Sequence, residues 1–477
     1  MLTFRLNLRL LCLLVILTCC FANLEHNKDD CFCELQGSIE DCECEVDTVD
    51  NFNNVKIYPR LRSLLVKNYF RYFKVNLKKK CPFWEDDSRC AIRYCSVQSC
   101  QADDIPVGIK GEAKKKSTSD TFASESMCHI NKNSESSCGI SRQCQCENSE
   151  QSAPSKIDRM QCGGPNDLDY LNTTLSAKIV KEMELWTAHD NALENFCILD
   201  EDDKDSEYVD LLLNPERYTG YAGKSAERVW RSIYIENCFQ TYSWEKPSFF
   251  KLDNMCLEER VFYRCISGLH ASINIHLSAN YLLSDPNKPS LVEPNGQWGM
   301  NLKEFERRFN PSTTNGKGPD WLRNLYFLYL LELRAIEKAA PLLENEKFYT
   351  GNEKEDWDTI MAVKDLLKTI KQFPSHFDES TMFIGDANKK NLKNEFRQHF
   401  RNVSRIMDCV GCDKCKLWGK LQTQGLGTAL KVLFSTENRT AENLKLQRNE
   451  IVSLVNAFGR LSNSIYKLDD FREMQKK

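Results

Sequence analysis

Apolar residues recur by threes and fours over most of the chain from about Tyr208 onward, a spacing that predicts helices. Between Glu258 and Leu283 they fall at Val261, Phe262, Cys265, Ile266, Leu269, Ile273, Leu277 and Tyr281, with Gly268 as the weak interior residue. Trp321 to Ala340 is apolar nearly all round through Leu325-Tyr-Phe-Leu-Tyr-Leu-Leu331, so it must be buried on every side. Trp357 to Phe373, closed by Pro374, reads as an amphipathic helix, and Asn391 to Met407, Lys416 to Phe434 and Ala441 to Leu461 complete the set. Strand-like alternation is scarce and no internal repeat is evident. The expectation is a mainly α fold, one large helical domain behind a Cys-rich N-terminal region.

The first residues break this pattern. Arg5 and Arg9 precede the short apolar run Leu10 to Leu17, and Cys20-Phe21-Ala22 places small residues where a signal peptidase cuts. Residues 1–22 are therefore expected to be a secretory signal peptide. No later stretch reaches the roughly 18 charge-free apolar residues that a membrane span needs, so the mature chain is expected to be soluble or peripheral. The remainder divides into a Cys-rich region at 23–101, a regulatory loop at 102–166 and a helical core at 167–477.

Composition narrows the function classes. The 477 residues are 41% hydrophobic and 28% charged, enough for a sizeable core without staples. A net charge of −4 offers no field for phosphate backbones, which excludes nucleic acid as the expected partner. There are 23 cysteines, and all but Cys12, Cys19 and Cys20 would meet an oxidising lumen, where disulfides form. Glycosylation sequons at Asn172, Asn402 and Asn438 agree with that compartment, and Met474-Gln-Lys-Lys477 is not a KDEL-type retrieval signal.

Cys31-x-Cys33 and Cys42-x-Cys44 read as a stapled, hairpin-like cap whose connectivity the spacing leaves open. Residues 102–166, polar and carrying cysteines at 128, 138, 144, 146 and 162, cannot bury enough surface to offset their ordering entropy. Asp200 to Asp205 is acidic but lacks the glycine and terminal glutamate of a calcium loop, so a solvated loop is expected.

Two cysteine clusters carry chemistry. Cys409-Val-Gly-Cys412-Asp-Lys-Cys415 sits before a helix, where the dipole, Lys414 and Lys416 favour thiolate and a two-residue gap lets a disulfide close reversibly. The same run also reads as a staple or an incomplete metal site, although the fourth ligand is missing, and no metal is expected. The second cluster holds Cys81, Cys90, Cys95 and Cys100. Cys90-x4-Cys95 lies on a polar segment and suits either exchange or a staple. Two separated redox pairs suggest a relay, and a relay needs an electron acceptor. Gly425-Leu-Gly427 lacks the third glycine of a dinucleotide fingerprint, so a flavin would have to sit between helices. Polar groups inside apolar stretches mark the place: Arg217 and Thr219 after Asn214-Pro215, Trp230, and Ser267 with His270 on one helix face. Each also reads as a packed, satisfied core residue.

Asp210-Leu-Leu-Leu-Asn-Pro-Glu-Arg-Tyr-Thr-Gly-Tyr221, Ser267-Gly-Leu-His-Ala-Ser-Ile273, Asn324-Leu-Tyr-Phe-Leu-Tyr-Leu330 and Arg405-Ile-Met-Asp-Cys-Val-Gly-Cys412 resemble the endoplasmic reticulum oxidoreductins, from Cys31 to about Phe458. The resemblance implies a thiol oxidase that uses FAD to make disulfides de novo, passes them to protein disulfide isomerase, and returns electrons to O2 as hydrogen peroxide. It implies residence in the endoplasmic reticulum lumen, with peripheral association at the lumenal membrane face. By matching positions, Cys412 and Cys415 would be the inner pair beside FAD, and Cys90 and Cys95 the outer shuttle pair; which inner sulfur contacts the flavin the sequence leaves open, with Cys415 taken as the nearer. Arg217, Thr219, Trp230, Ser267, His270 and Arg308 would line the FAD site. Cys81–Cys409 would be a structural bridge, while Cys95–Cys100, and Cys90 with a linker cysteine such as Cys128, would be inhibitory pairings. A long-range Cys197–Cys238 bridge is also expected. This sequence departs from the family pattern at Trp321, where a second FAD-contacting arginine is expected; Arg323 is nearby on another face. The competing expectations are a non-enzymatic, Cys-rich secreted binding protein and a flavin-free isomerase, the latter needing a thioredoxin-like βαβ core.

Overall fold

Long helices form where the apolar periodicity places them, and small residues set how closely they pack. The computed structural model describes residues 46–83, 95–110, 195–216, 223–235, 257–283, 297–314, 316–374, 378–379, 382, 387–434 and 444–476. The expected signal segment, Cys31, Cys33, Cys42, Cys44, Cys90, the five linker cysteines, Arg217, Thr219, Cys238, Asn172 and Asn438 lie outside those residues.

In chain order the elements are α1 (Val46–Asn51), a π-helical stretch (Phe52–Ile57), α2 (Tyr58–Leu64), α3 (Asn68–Arg71), β1 (Tyr72–Val75), β2 (Glu207–Asp210), α4 (Gly223–Ile235) and α5 (Leu257–Ala279). There follow β3 (Tyr281–Leu283), β4 (Gln297–Gly299), α6 (Leu302–Phe309), α7 (Gly318–Lys338), α8 (Ala340–Glu344), α9 (Glu353–Ile370), α10 (Ala387–Ile406), α11 (Asp413–Phe434) and α12 (Arg448–Gln475). The fold is mainly helical. Among the described residues the strands make only two antiparallel ribbons, β1–β2 and β3–β4.

The core is built by α5 on α7 and by α11 on α12, with α7 also against α11 and α12. Close approach is written in two glycines. A Cβ on Gly268 would lie 2.4 Å from the Asn324 carbonyl oxygen, and one on Gly425 would lie 2.4 Å from that of Ser453. The residue that weakens α5 in isolation is the one that lets α7 reach it.

Three boundaries differ from the sequence expectation. The helix read as running to Leu283 ends at Ala279, because Asn280 folds back on His276 through its backbone N–H at 2.9 Å and its amide at 3.1 Å. The last helix starts later than Ala441, at a capping box formed by Gln447 and Glu450, and runs on to Gln475 because Ile465, Leu468 and Phe471 continue its buried stripe. The segment 46–75, read only as part of a Cys-rich region, is largely helical and shares the main core through Phe52, Leu61, Tyr69, Phe70 and Phe73. Each such side chain contributes about 1.5–3 kcal/mol when fully buried. Buried polar groups of α12 tie this segment down: Arg448 donates to Tyr72 O at 2.7 Å, and Asn456 to Phe70 O at 2.9 Å.

The acidic stretch after Asp200 is not simply solvated. Asp200 is buried and pairs with Lys79 at 2.6 Å and Lys420 at 2.8 Å. Burial alone would raise its pKa, but the two ammonium groups outweigh burial and hold the carboxyl below its ordinary value. Among the described residues no helix is long and apolar enough to cross a membrane, and no cluster of metal-ligating side chains is present.

Candidate redox site

The sequence around Cys412 stops one helix and starts another. After α10, Met407–Cys409 makes a single 3-10 turn and Val410 turns extended (φ −75°, ψ 117°). Cys412 then sits just ahead of α11, its carbonyl accepting from the Lys416 N–H at 2.7 Å. Its sulfur therefore stands at the positive end of a 22-residue helix.

Two disulfides converge here. Cys81 is bonded to Cys409 across 328 residues, with Cα atoms 4.3 Å apart, and holds the segment after β1 against the start of the site. Cys95 is bonded to Cys412 across 317 residues, with Cα atoms 4.9 Å apart. Cys95, Cys412 and Cys415 form one buried cluster with Val410 against it. The expected outer and inner pairs are thus both open in this state, each giving one sulfur to a bond between them. The reason is local: residues 95–100 lie along the edge of β2 with Cys95 delivered to the tip of α11.

That placement is specific. The Lys414 N–H donates to Cys95 O at 2.8 Å. The Gln98 N–H donates to Asn214 Oδ1 at 2.7 Å, while Asn214 Nδ2 donates to Gln98 O at 2.9 Å. Ser99 bridges Val209, its hydroxyl donates to Glu207 at 2.7 Å, and the Cys100 N–H donates to Tyr208 O at 3.0 Å. Cys100 is a half-buried thiol in this state, not bonded to Cys95, and burial followed by Asp210 and Asp104 pushes its pKa up to about 11.

Below the cysteines, Lys420 reaches from α11 to Asp408, Asp200 and the Asn76 carbonyl, so a buried ionic group backs the Cys81–Cys409 bond. Of the expected Cys197–Cys238 bridge, only Cys197 falls within the described residues. Cys197 is buried, its Sγ 4.0 Å from Gln424 O, facing the part of α11 that Gly427 leaves without a side chain. Asn402 lies on α10, where its Oδ1 accepts from Arg405 at 2.9 Å.

Beyond Cys415 a cavity opens between α4, α5 and α11, about 580 Å³ with its mouth included. Its walls are mainly apolar, from Val229, Leu269, Ile273 and Met407, together with Trp230, Gly411 and Cys415. Gln422 and Thr423 also line it. The amide nitrogen and oxygen of Gln422 and the hydroxyl of Thr423 are buried and have no hydrogen-bond partner among the described residues. Leaving such groups unsatisfied costs about 1–3 kcal/mol each, so the cavity suits a flat, apolar group with a polar edge. A flavin fits that requirement.

The remaining candidates gather around Trp230. The Trp230 indole lies flat on His270, and His270 Nδ1 is 3.0 Å from the Tyr234 hydroxyl. Burial, and secondarily Arg308, lowers the His270 pKa to about 3, so the ring is neutral at physiological pH. Ser267 Oγ accepts from Asn324 Nδ2 at 3.0 Å. Arg308 is held by Glu304 at 2.7 Å and by Asn274, one turn beyond His270 on α5. Trp321 is buried in the first turn of α7, whereas Arg323 pairs with Asp320 at 3.0 Å and leaves that position uncharged. The structure therefore brings Trp230, Ser267, His270 and Arg308 into one region. Sequence reasoning missed Gln422, Thr423 and Asn214. A polar pair inside an otherwise buried helix was the available signal for the first two; Asn214 was read only as a turn residue.

The chain matches known proteins along most of its length. A family model described as Endoplasmic Reticulum Oxidoreductin 1 (ERO1) matches residues 56–468. An Ero1-like protein of Drosophila melanogaster is 51% identical over 479 residues, 95% of this chain and 90% of that one. ERO1-like protein alpha of Homo sapiens is 45% identical over 455 residues, 90% of this chain and 88% of that one. Among solved structures, a double-cysteine mutant of S. cerevisiae Ero1p is similar at a TM-score of 0.55 with 28% identity, covering 90% of this chain and 98% of that chain. A structure of Ero1p described as the source of disulfide bonds for oxidative protein folding in the cell is similar at 0.52 with 27% identity, at the same coverage.

Proposed function

Because the chain belongs to the endoplasmic reticulum oxidoreductin family, we propose that it is an FAD-dependent thiol oxidase that takes electrons from protein disulfide isomerase and delivers them to O2. The observation that carries this reading is the Cys95–Cys412 bond with Cys415 behind it on the cavity wall. The proposed location is the endoplasmic reticulum lumen, including peripheral contact with its membrane face, and rests on the family.

The thiol steps balance as exchanges. A thiolate of the reduced isomerase attacks the Cys90–Cys95 disulfide; the resulting mixed disulfide is resolved by the isomerase's second thiol, leaving Cys90 and Cys95 reduced. The Cys95 thiolate then attacks Cys412 of the Cys412–Cys415 disulfide, forming Cys95–Cys412 and releasing Cys415, which takes a proton. The Cys95–Cys412 bond of the structure supports this step. Cys90 finally attacks Cys95, restoring the outer disulfide and leaving the inner pair as a dithiol. The N-terminus of α11 stabilises negative charge on the inner sulfurs as they leave.

Trp230, Ser267, His270 and Arg308 would hold FAD, with Arg217 and Thr219 from outside the described residues, and Gln422 and Thr423 offer it hydrogen bonds. When bound, FAD supplies the two-electron acceptor for the inner dithiol and returns those electrons to O2 as hydrogen peroxide. The protein contributes position: Cys415 on the cavity wall, a neutral His270, and apolar side chains that exclude water.

The test is an absorbance spectrum of the purified mature protein, followed by oxygen uptake on adding reduced isomerase. A flavin band at about 450 nm, with uptake abolished in Cys415→Ala, is expected. A folded protein that stays colourless with added FAD, or uptake that persists in Cys415→Ala, would overturn the proposal.

A further inference from the structure

We infer that Asn214 is a positioning residue, a clamp that docks the shuttle segment so that Cys95 meets Cys412; the inference rests on the relay reading above. Asn214 is 1% exposed. Its side chain grips Gln98 through the main chain only, accepting from the N–H at 2.7 Å and donating to the carbonyl at 2.9 Å. This is the two-point pairing one strand gives another, supplied by a single amide. The Gln98 side chain is exposed, so the contact reads no side chain of the shuttle.

The clamp is itself fixed to both halves of the site. Asn214 Nδ2 and the Asn214 N–H both donate to Asp210 O, at 3.0 and 3.1 Å, anchoring it to the end of β2. Its carbonyl accepts from Trp418 Nε1 at 2.7 Å, and Trp418 stands three residues beyond Cys415 on α11. Asn214 therefore spans the gap between the shuttle segment and the helix that carries the inner pair. Gripping Gln98 and receiving Cys95 O at Lys414 fix the three-residue lever that ends in the reacting sulfur.

A purely local role leaves part of this unexplained. The turn at Asn214 uses its N–H and its Nδ2, whereas Oδ1 takes only the Gln98 N–H among the described contacts. In exchange between two thiols of one chain, the equilibrium is set by the effective concentration of one sulfur at the other, and docking raises it. Two half-buried hydrogen bonds make the expected loss on removing the clamp about tenfold or more.

The measurement is the equilibrium constant for Cys95–Cys412 formation in glutathione buffers. It uses the full mature chain carrying Cys90→Ser and Cys415→Ser, read by alkylation and peptide mass spectrometry. Adding Asn214→Ala should lower the constant about tenfold or more. Gln98→Pro, which removes the N–H at an exposed position, should lower it similarly, while Gln98→Ala should leave it unchanged. If Asn214→Ala does not fold, Gln98→Pro against Gln98→Ala decides alone. An unchanged constant in Asn214→Ala, a fall that Gln98→Pro does not share, or an equal fall in Gln98→Ala overturns the clamp. A parent chain that never forms Cys95–Cys412 overturns the relay reading, and the clamp with it.

Discussion

Trp230 lies parallel to His270, the two ring centroids 3.7 Å apart and the planes 13° from one another. The pair sits where α4 meets α5, and Trp230 lines the cavity that Cys415 also lines. An indole held flat at a cavity wall is a ready stacking surface. Trp230→Ala should therefore lower retention of FAD, measured as flavin absorbance per protein after gel filtration, with the helical signal kept. Retention equal to the parent would remove Trp230 from the site.

His270 gives a pH dependence with a definite sign. Its folded pKa, about 3, lies below the ordinary 6.5 because burial disfavours the imidazolium and Arg308 adds repulsion. The unfolded chain takes up the proton first, so this contribution to stability is present above about pH 6.5 and is lost as pH falls toward 3. At pH 5 the loss is about 2 kcal/mol. His270→Gln should flatten the fall in stability between pH 7.5 and 5, read by denaturant unfolding of the flavin-free protein; an equally steep fall would contradict it.

Lys420 should matter more than a surface lysine. It is 9% exposed and lies between Asp408 and Asp200. Lys420→Met leaves two buried carboxylates short of a counter-charge, for which a loss of about 3–5 kcal/mol is expected. Surface-like behaviour, within about 0.5 kcal/mol in the same assay, would show that the cluster is not a unit.

Gly268→Ala should be costly although alanine is the better helix former. The added Cβ would lie 2.4 Å from Asn324 O and 2.9 Å from Leu328 Cβ. Relief requires α5 and α7 to separate, at about 1–3 kcal/mol, and Asn324 to shift from Ser267. A lowered melting temperature with weaker FAD retention is the expected outcome, and a stabilised variant would contradict the packing.

We propose that Cys100 competes for Cys95. Since one sulfur makes one disulfide, a Cys95–Cys100 bridge removes Cys95 from Cys412. In the docked arrangement Cys100 is a thiol with a pKa of about 11 and attacks poorly at neutral pH. Cys100→Ala should raise oxygen uptake in reducing buffer, because no Cys95–Cys100 bridge then has to be reduced before Cys95 is released. Unchanged or lower uptake would argue against this trap.

These side chains also mark what the sequence reveals. Helices with long apolar stripes, such as α7 and α11, are legible because burial on every side leaves no other pattern. The helices of 46–71 are short and dense in Lys, Arg and Asn, and their core contacts come from α12, nearly 400 residues away, so local periodicity does not announce them. Cys95 beside Cys412 and Lys79 beside Asp200 are likewise products of the fold. Ser267 and His270 were readable as one face from their spacing, whereas the unsatisfied state of Gln422 and Thr423 exists only once the cavity does. The resemblance to a family pointed to cysteine roles; the exchange geometry at Asn214 needed coordinates.

The central claim is that Cys412 receives the shuttle while Cys415 faces the cavity. It is tested most directly by comparing Cys415→Ser with Cys412→Ser, each trapped by acid and alkylation and mapped by peptide mass spectrometry. In Cys415→Ser the Cys412 thiolate attacks Cys95 of the outer disulfide and releases Cys90, so Cys95–Cys412 should accumulate. In Cys412→Ser no bond from Cys95 to the buried Cys415 should appear. Accumulation of Cys95–Cys415 in the second variant, or absence of Cys95–Cys412 in the first, would contradict the assignment.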